Sequence, residues 1–179
     1  LEPSSAASDV YKRQLLDKLG GAAWQAKKAK LKQRIKDMAE RLIRVAAERE
    51  LRTAPIFEPP PGIWDAFSAK FPYQETDDQM NAIEDVVSDL TSKRPMDRLV
   101  CGDVGFGKTE VAMRAAFLAS ISGFQVAVIA PTTLLVRQHT QSFLDRFRGL
   151  PIEIRQLSRF VSKKTADKTR DDIQNGNVD

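Results

Sequence analysis

A chain of 179 residues has room for one ordinary domain, or for a small domain with an appendage. Its residues are 42% hydrophobic and 29% charged, and no apolar run approaches the roughly 20 residues of a membrane span, which excludes an integral membrane protein. The single cysteine excludes an internal disulfide and fits a reducing compartment, and the net charge of +4 is unevenly spread.

The first part of the chain carries the positive charge. Residues 1–14 lack periodicity and start with a Ser- and Ala-rich run, which predicts a disordered or non-native end. Residues 11–53 contain 13 Lys and Arg against 5 Asp and Glu, whereas residues 54–179 contain 15 against 17. The basic segment has two interpretations, a surface that binds a polyanion and a solvated helix face.

A long helix is predicted within this basic segment, after the break at Gly20-Gly21. The pattern extends from Trp24 to about Arg52 without Gly or Pro, and its apolar residues recur at steps of four and three. These apolar residues are Leu31, Ile35, Met38, Leu42 and Val45. At about 1.5 Å per residue such a helix spans roughly 40 Å. This length suits a connector between domains, and we assign residues 15–54 to it.

A proline-rich stretch separates this helix from the rest of the chain. Residues 55–61, PIFEPPP, end the helix because proline lacks the amide donor and restricts the residue before it. A short amphipathic segment with Trp64, Phe67 and Phe71 follows. The sequence therefore predicts a linker with a short amphipathic segment over residues 55–71.

From Pro72 onward, helices alternate with strands. Helices are predicted over 76–90, 108–121, 134–147 and 162–174, and strands over 98–101, 125–130 and 152–157. Gly123 is expected to close the second of these helices, and Cys101 to be a small buried residue of the first strand. Strands and helices that alternate at this spacing predict an α/β fold, a parallel sheet with helices on both faces.

A phosphate-binding loop follows the first predicted strand and opens the next helix. It matches the pattern G-x-x-x-x-G-K-[ST] with Gly102, Asp103, Val104, Gly105, Phe106, Gly107, Lys108 and Thr109. The glycines allow positive φ and close backbone approach, and the loop amides with the helix N-terminus offer donors to phosphate. Lys108 is expected between the β- and γ-phosphates and the Thr109 hydroxyl on Mg²⁺, which predicts an ATP site with these two as catalytic residues. A plain glycine-rich turn leaves both unexplained.

A second candidate residue is Gln79, in the segment FPYQETDDQ at residues 71–79. Thr76 and Gln79 have the spacing of a capping box, in which the glutamine only completes the start of a helix. The other interpretation is recognition of adenine, since one amide can pair with both N6 and N7 of that base. Both can hold at once, and the P-loop that follows favours the contact with adenine.

Short hydroxyl residues follow the second predicted strand. Thr132 and Thr133 come after Pro131, at the carboxyl end of the strand, where parallel sheets bind ligands. They can cap the next helix, or they can donate to nucleic-acid phosphates, which their position favours. The only histidine, His139, has no metal-ligand partner in sequence and is expected to be structural.

Together these motifs resemble those of superfamily 2 helicases and translocases. The segments TDDQ, GDVGFGKT and APTTLL are similar to motifs Q, I and Ia of that superfamily. The similarity is closer to the bacterial transcription-repair coupling factors, through FPYQETDDQ, RPMDR, GDVGFGKTEVA, LSRF and the LGGAAW that leads into the basic helix. The resemblance covers residues 15–179.

The resemblance implies a RecA-like P-loop NTPase domain over residues 72–179, preceded by the connector helix of a DNA translocase. It implies ATP and Mg²⁺ as cofactors, with Gln79 on adenine. Four residues are placed near DNA phosphates: Thr132, Thr133, Ser158 and Arg159. It also implies double-stranded DNA, RNA polymerase and excision-repair proteins as partners, and it implies no membrane partner. The implied location is the bacterial cytoplasm, at the nucleoid.

The chain also departs from the pattern of that superfamily. No D-E-x-[HQ] segment follows the P-loop and no second motor domain is present, so this segment alone is expected to bind nucleotide weakly without meaningful turnover. Three alternatives stay open. They are a branch-migrating repair helicase of the same superfamily, a different P-loop ATPase such as a transporter subunit, and a DNA- or protein-binding module without hydrolysis.

Overall fold

Residues 21–179 are described by the structure, a computed structural model of the chain. The prediction for residues 1–14, and the part of the connector helix before Gly21, lie outside these residues. The chain divides into two compact units, with the boundary between Leu51 and Arg52. Among the described residues, no helix is both long and apolar enough to cross a bilayer.

Helix α1, Ala22–Glu50, lies in the first unit and confirms the long predicted helix. None of its 29 residues is buried. The predicted apolar stripe is 58–65% exposed at every position: Leu31, Ile35, Met38, Leu42 and Val45. Lys36 and Glu40 pair one turn apart at 3.8 Å, an exposed contact that contributes about 0.3–0.5 kcal/mol. The helix is therefore maintained by its own backbone and by local side-chain pairs.

The proline-rich stretch belongs to the second unit. The amide of Phe57 donates to the carbonyl of Leu90 at 3.0 Å. Helix α2, Ile63–Ala69, begins after Gly62, whose φ of 76° lies in the left-handed region. The stretch predicted as a linker with a short amphipathic segment, residues 55–71, is thus in contact with the rest of this unit.

Four longer helices follow: α3, Asp77–Leu90; α4, Lys108–Ile121; α5, Thr133–Arg146; and α6, Lys163–Gln174. Each agrees with its predicted bounds to within one residue. Three of the starts are explained by N-caps, because the Thr76, Thr132 and Ser162 hydroxyls each accept from the amide three residues later. Gly123, with a φ of 81°, follows the end of α4 as predicted.

Helix α4 lies at the centre of the hydrophobic core, where Phe117 and Leu118 are fully buried. Phe67 of α2 stacks on Phe117 with ring centroids 4.1 Å apart, and Phe147 meets Phe67 edge-on at 5.2 Å. A second cluster joins α3 to α4: Ile83, Val86 and Val111. The loop that precedes α4 is therefore anchored to the most buried helix of the unit.

The predicted parallel sheet is not confirmed, since no strand is assigned among residues 21–179. The three predicted strands lie between helices without the ladder of hydrogen bonds that pairs neighbouring strands. In the second of them Val128 is 53% and Ile129 94% exposed, where a buried strand is predicted. Cys101 is exposed, so the prediction of a buried cysteine is wrong, because an unpaired segment leaves its side chains uncovered.

Candidate nucleotide site

The predicted P-loop runs from Gly102 to Thr109 and leads directly into α4. Gly105 and Gly107 have φ values of 87° and 69°, in the left-handed region that glycine favours, and Gly107 is the N-cap residue of α4. Gly102 is not among the residues with positive φ, so the expected use of positive φ holds for two of the three loop glycines. Those two shape the turn that brings the backbone onto the start of α4.

Lys108 and Thr109 are the first two residues of α4. The Lys108 ammonium donates to the carbonyls of Gly102 and Asp103, both at 2.6 Å, and therefore lies over the start of the loop. The first amides of a helix have no acceptor within the helix, and the helix dipole adds partial positive charge at the same end. The loop and the helix start thus gather donors and positive charge that fit an anion such as phosphate.

The Gln79 side chain joins the start of α3 to the P-loop. Its Oε1 accepts from the backbone amide of Thr76 at 2.9 Å. The backbone amide of Gln79 donates to the Thr76 hydroxyl at 3.2 Å, so the capping box is confirmed. Its Nε2 donates to the carbonyl of Phe106 at 2.8 Å. These contacts fix the direction of the side-chain amide. One hydrogen on Nε2 and one lone pair on Oε1 remain for hydrogen bonds to a ligand.

Gly107 lies in close contact with the same side-chain amide. A Cβ atom on Gly107 would lie 2.3 Å from Gln79 Nε2, whereas one on Gly105 would meet nothing within 4 Å. A Cβ on Gly102 would lie at an ordinary 3.5 Å from Lys108 Cγ. Glycine at position 107 is therefore needed both for its φ and for the approach of Gln79.

A buried ion network, which the sequence motifs do not reveal, lies behind the loop. Glu110, Arg114 and Arg146 are 6%, 3% and 9% exposed. Arg114 Nε donates to Glu110 Oε1 at 2.9 Å, and Arg114 Nη2 pairs with Glu75. Arg146 donates to both oxygens of Glu110, at 2.7 and 3.1 Å. The only sequence signal for it is the i,i+4 spacing of Glu110 and Arg114 within a mostly apolar helix.

One open cleft brings Gln79 together with part of the P-loop, whereas Gly102, Asp103 and Lys108 do not line it. Its lining includes Gln79, Gly105, Phe106, Gly107 and Thr109. Phe71 and Tyr73 also line it, and their rings meet edge-on at 5.5 Å. His139 lines the α5 side, and no group of three or more His, Cys, Asp and Glu side chains that could hold a metal occurs within residues 21–179.

The chemistry of the cleft, together with Lys108 of the adjoining loop, fits a nucleoside triphosphate with a divalent cation. The glycine turn and the start of α4 offer amide donors, Lys108 offers a positive charge, and Gln79 offers an amide edge. Thr109 supplies the one hydroxyl of the loop, an oxygen ligand of the kind that Mg²⁺ accepts beside phosphate oxygens.

The nucleic-acid candidates do not line this cleft. The Thr132 hydroxyl accepts an amide hydrogen of the first turn of α5 at 3.2 Å, which confirms its capping role, and Thr133 is the first residue of that helix. The Ser158 hydroxyl accepts from the Phe160 amide at 3.4 Å, and the Arg159 guanidinium lies 5.1 Å from the Phe160 ring. Contact of these four residues with DNA stays a prediction.

Known proteins align with most of the length of this chain. The chain is 50% identical over 167 residues to the transcription-repair-coupling factor of Rickettsia bellii (strain RML369-C), covering 91% of this chain and 15% of that protein. It is 47% identical over 164 residues to the transcription-repair-coupling factor of Bacillus subtilis (strain 168), covering 92% and 14%. The resemblance to coupling factors is confirmed, and the chain spans about 15% of the length of these curated relatives.

The fold is also similar to a solved structure, that of RecG bound to a three-way DNA junction. The TM-score is 0.67 at 28% identity, over 73% of this chain and 18% of the RecG chain, which supports a P-loop helicase-type fold. Residues 76–179, more than half of the chain, match the DEAD/DEAH box helicase family. This match begins at the capping residue Thr76 and contains the whole P-loop. The chain therefore belongs to the DEAD/DEAH box helicase family.

Proposed function

We propose that this chain is the nucleotide-binding part of an ATP-dependent DNA translocase that acts in transcription-coupled repair. The observation that carries the proposal is the hydrogen bond from Gln79 to Phe106, because it joins a base-recognising amide to a phosphate-binding loop within one cleft. Identities of 47–50% to coupling factors from two bacteria support this role over others in the same family.

In this proposal Gln79 recognises adenine. Its Oε1 already accepts from Thr76 and its Nε2 already donates to Phe106, so the side-chain amide is held in one direction. The remaining lone pair suits the N6 amino donor of adenine, and the remaining hydrogen suits the N7 acceptor. Guanine presents acceptors at both places, so an amide held in this direction favours adenine.

The P-loop is the proposed site of the phosphates and of Mg²⁺. Lys108 supplies the positive charge beside the β- and γ-phosphates, and Thr109 supplies the hydroxyl for the metal. The left-handed turn at Gly105 and Gly107 exposes the loop amides to the phosphate oxygens. When bound, ATP supplies through its hydrolysis the free energy for movement along DNA.

Double-stranded DNA is the proposed track of the motor. The proposed contacts to its phosphates are Thr132, Thr133, Ser158 and Arg159, because hydroxyl and guanidinium groups are the usual donors to DNA phosphates. The basic segment over residues 15–54 is the proposed connector to a preceding domain. A role in coupling transcription to repair implies RNA polymerase and excision-repair proteins as partners in the bacterial cytoplasm.

A branch-migrating repair helicase is the second candidate. The TM-score of 0.67 to RecG bound to a three-way DNA junction favours it. The identity to RecG is 28% over 73% of the chain, lower than the 50% over 91% found for a coupling factor. This candidate function therefore comes second.

The test is Lys108→Ala in a protein that contains this segment together with the remaining motor domain. We expect ATP-dependent translocation on duplex DNA, followed as displacement of a triplex-forming strand, to fall at least about a hundredfold, because the charge on the transferred phosphoryl group loses its partner. Lys168→Ala, an exposed lysine of α6, is the matched control and should leave the rate unchanged.

Translocation that survives Lys108→Ala would contradict the proposal. ATP-dependent remodelling of branched DNA by the unaltered protein, without displacement of a stalled RNA polymerase, would favour the second candidate.

A further inference from the structure

The ion network behind the P-loop connects two parts of the nucleotide site. Glu75 directly precedes Thr76, which shares the capping box with Gln79. Glu110 follows the P-loop and lies in the first turn of α4. Arg114 bridges the two carboxylates, because its Nη2 pairs with Glu75 and its Nε donates to Glu110 at 2.9 Å. A single guanidinium therefore ties the start of α3 to the P-loop helix.

The bridge is anchored in the core at one end. Glu110 is held by Arg146 through both carboxylate oxygens, and Arg146 Nη1 also donates to the carbonyl of Phe67 at 2.7 Å. The Arg146 guanidinium lies 4.0 Å from the centre of the Phe67 ring. Arg114 is buried, while Glu75 at the other end is partly exposed. The core thus fixes Arg114, and Arg114 in turn fixes Glu75.

Charge balance keeps this bridge closed at neutral pH. Two carboxylates face two guanidinium groups, and a backbone hydrogen bond together with Arg114 holds the pKa of Glu75 below its ordinary value of 4.5. Buried ion pairs give little net stability over apolar residues of similar volume, because the loss of hydration offsets the attraction. Their more specific effect here is geometric, since they join the residue before the capping box to the first turn of the P-loop helix.

We propose that Arg114 is a positioning residue that makes the site selective for adenine. By bridging Glu75 and Glu110 it keeps the Gln79 amide beside Phe106, in the direction that pairs with adenine and rejects guanine. Arg114 does not line the cleft, so it acts through Gln79. The inference rests on the proposed contact of Gln79 with adenine.

Glu75→Ala opens the bridge at its exposed end, because it removes the acceptor of Arg114 Nη2 while Arg114 keeps Glu110 as its buried partner. Displacement of a fluorescent ATP analogue from this chain by ATP, by GTP and by inorganic tripolyphosphate measures base selection separately from phosphate binding. We expect the preference for ATP over GTP to fall about tenfold, the effect of roughly one hydrogen bond. Tripolyphosphate affinity should change less than about twofold, and Arg114→Met should give the same pattern.

Asp89→Asn near the end of α3 is the matched control, because Asp89 pairs with Arg98 at 2.6 Å and does not line the cleft. It should keep the preference for ATP. If Arg114→Met does not fold, Glu75→Ala decides the question alone.

Three results would overturn the inference. If the preference for ATP is lost in Gln79→Ala but kept in Glu75→Ala and Arg114→Met, the proposed role of Arg114 is wrong while the adenine contact stands. An equal loss of affinity for ATP, GTP and tripolyphosphate in the bridge variants would reduce the network to structural support. A wild-type chain that binds ATP and GTP equally would overturn the adenine contact itself, and the inference with it.

Discussion

Among single residues, Gly107 and Gln79 determine the shape of the candidate site. Gly105 and Gly107 both adopt left-handed φ values, but only Gly107 has a neighbour that a methyl group would displace. The motif G-x-x-x-x-G-K-[ST] accounts for glycine at this position by phosphate binding. The structure adds a second reason, the passage of the Gln79 amide to the Phe106 carbonyl.

Gly107→Ala and Gly105→Ala separate these two reasons. Both variants place an alanine in the left-handed region, which should lower the free energy of unfolding by about 1 kcal/mol in each. Only Gly107→Ala also pushes Gln79 Nε2 away from Phe106, so only this variant should lose the preference for ATP over GTP. Urea unfolding measures the change in stability, and competition binding measures the preference for ATP over GTP. An equal preference in both variants would show that the close contact of Gly107 with Gln79 does not affect base selection.

Among the elements, α2 lies within the stretch predicted as a proline-rich linker with a short amphipathic segment, residues 55–71. The helix buries Phe67, an aromatic residue of that predicted segment, against Phe117 and Phe147. Prolines stop the preceding helical pattern, but they leave the aromatic residues after them free to pack. Composition thus marks where one helix stops, and the aromatic spacing is the better guide to whether the next segment docks.

Phe67→Ala tests whether α2 belongs to the core of the second unit. We expect the free energy of unfolding to fall by about 3–5 kcal/mol, because a buried ring leaves a cavity and the stack on Phe117 is lost. Phe160→Ala is the control, since Phe160 is exposed and should change stability by less than about 0.5 kcal/mol. Similar urea midpoints for the two variants would show that α2 is not docked.

Helices and strands differ in how well the sequence predicts them. The four helices after α2 agree with prediction to within one residue because their signals are local: N-caps at Thr76, Thr132 and Ser162, and a terminal Gly123. A strand exists only when another segment pairs with it, and an apolar run does not specify that partner. This is why the predicted sheet is the part of the fold that is not confirmed.

For the whole molecule, the sequence predicts the parts of the site that short motifs encode. It does not predict the contacts between residues that are far apart in the sequence. The P-loop and the capping box at Gln79 each occupy a few consecutive residues, so their spacing reveals them. The bridge from Arg114 to Glu75 joins residues 39 positions apart, and that from Arg146 to Glu110 joins residues 36 apart. No local pattern encodes such contacts, so only the packed structure reveals them.

Calorimetric titration of MgATP into the 179-residue chain and into its Lys108→Ala variant measures whether the P-loop binds nucleotide. We expect saturable binding at one site, with affinity at least about tenfold weaker in Lys108→Ala and unchanged in the control Lys168→Ala. Absence of binding to the wild-type chain, or equal affinity in the wild type and in Lys108→Ala, would show that the P-loop is not a nucleotide site.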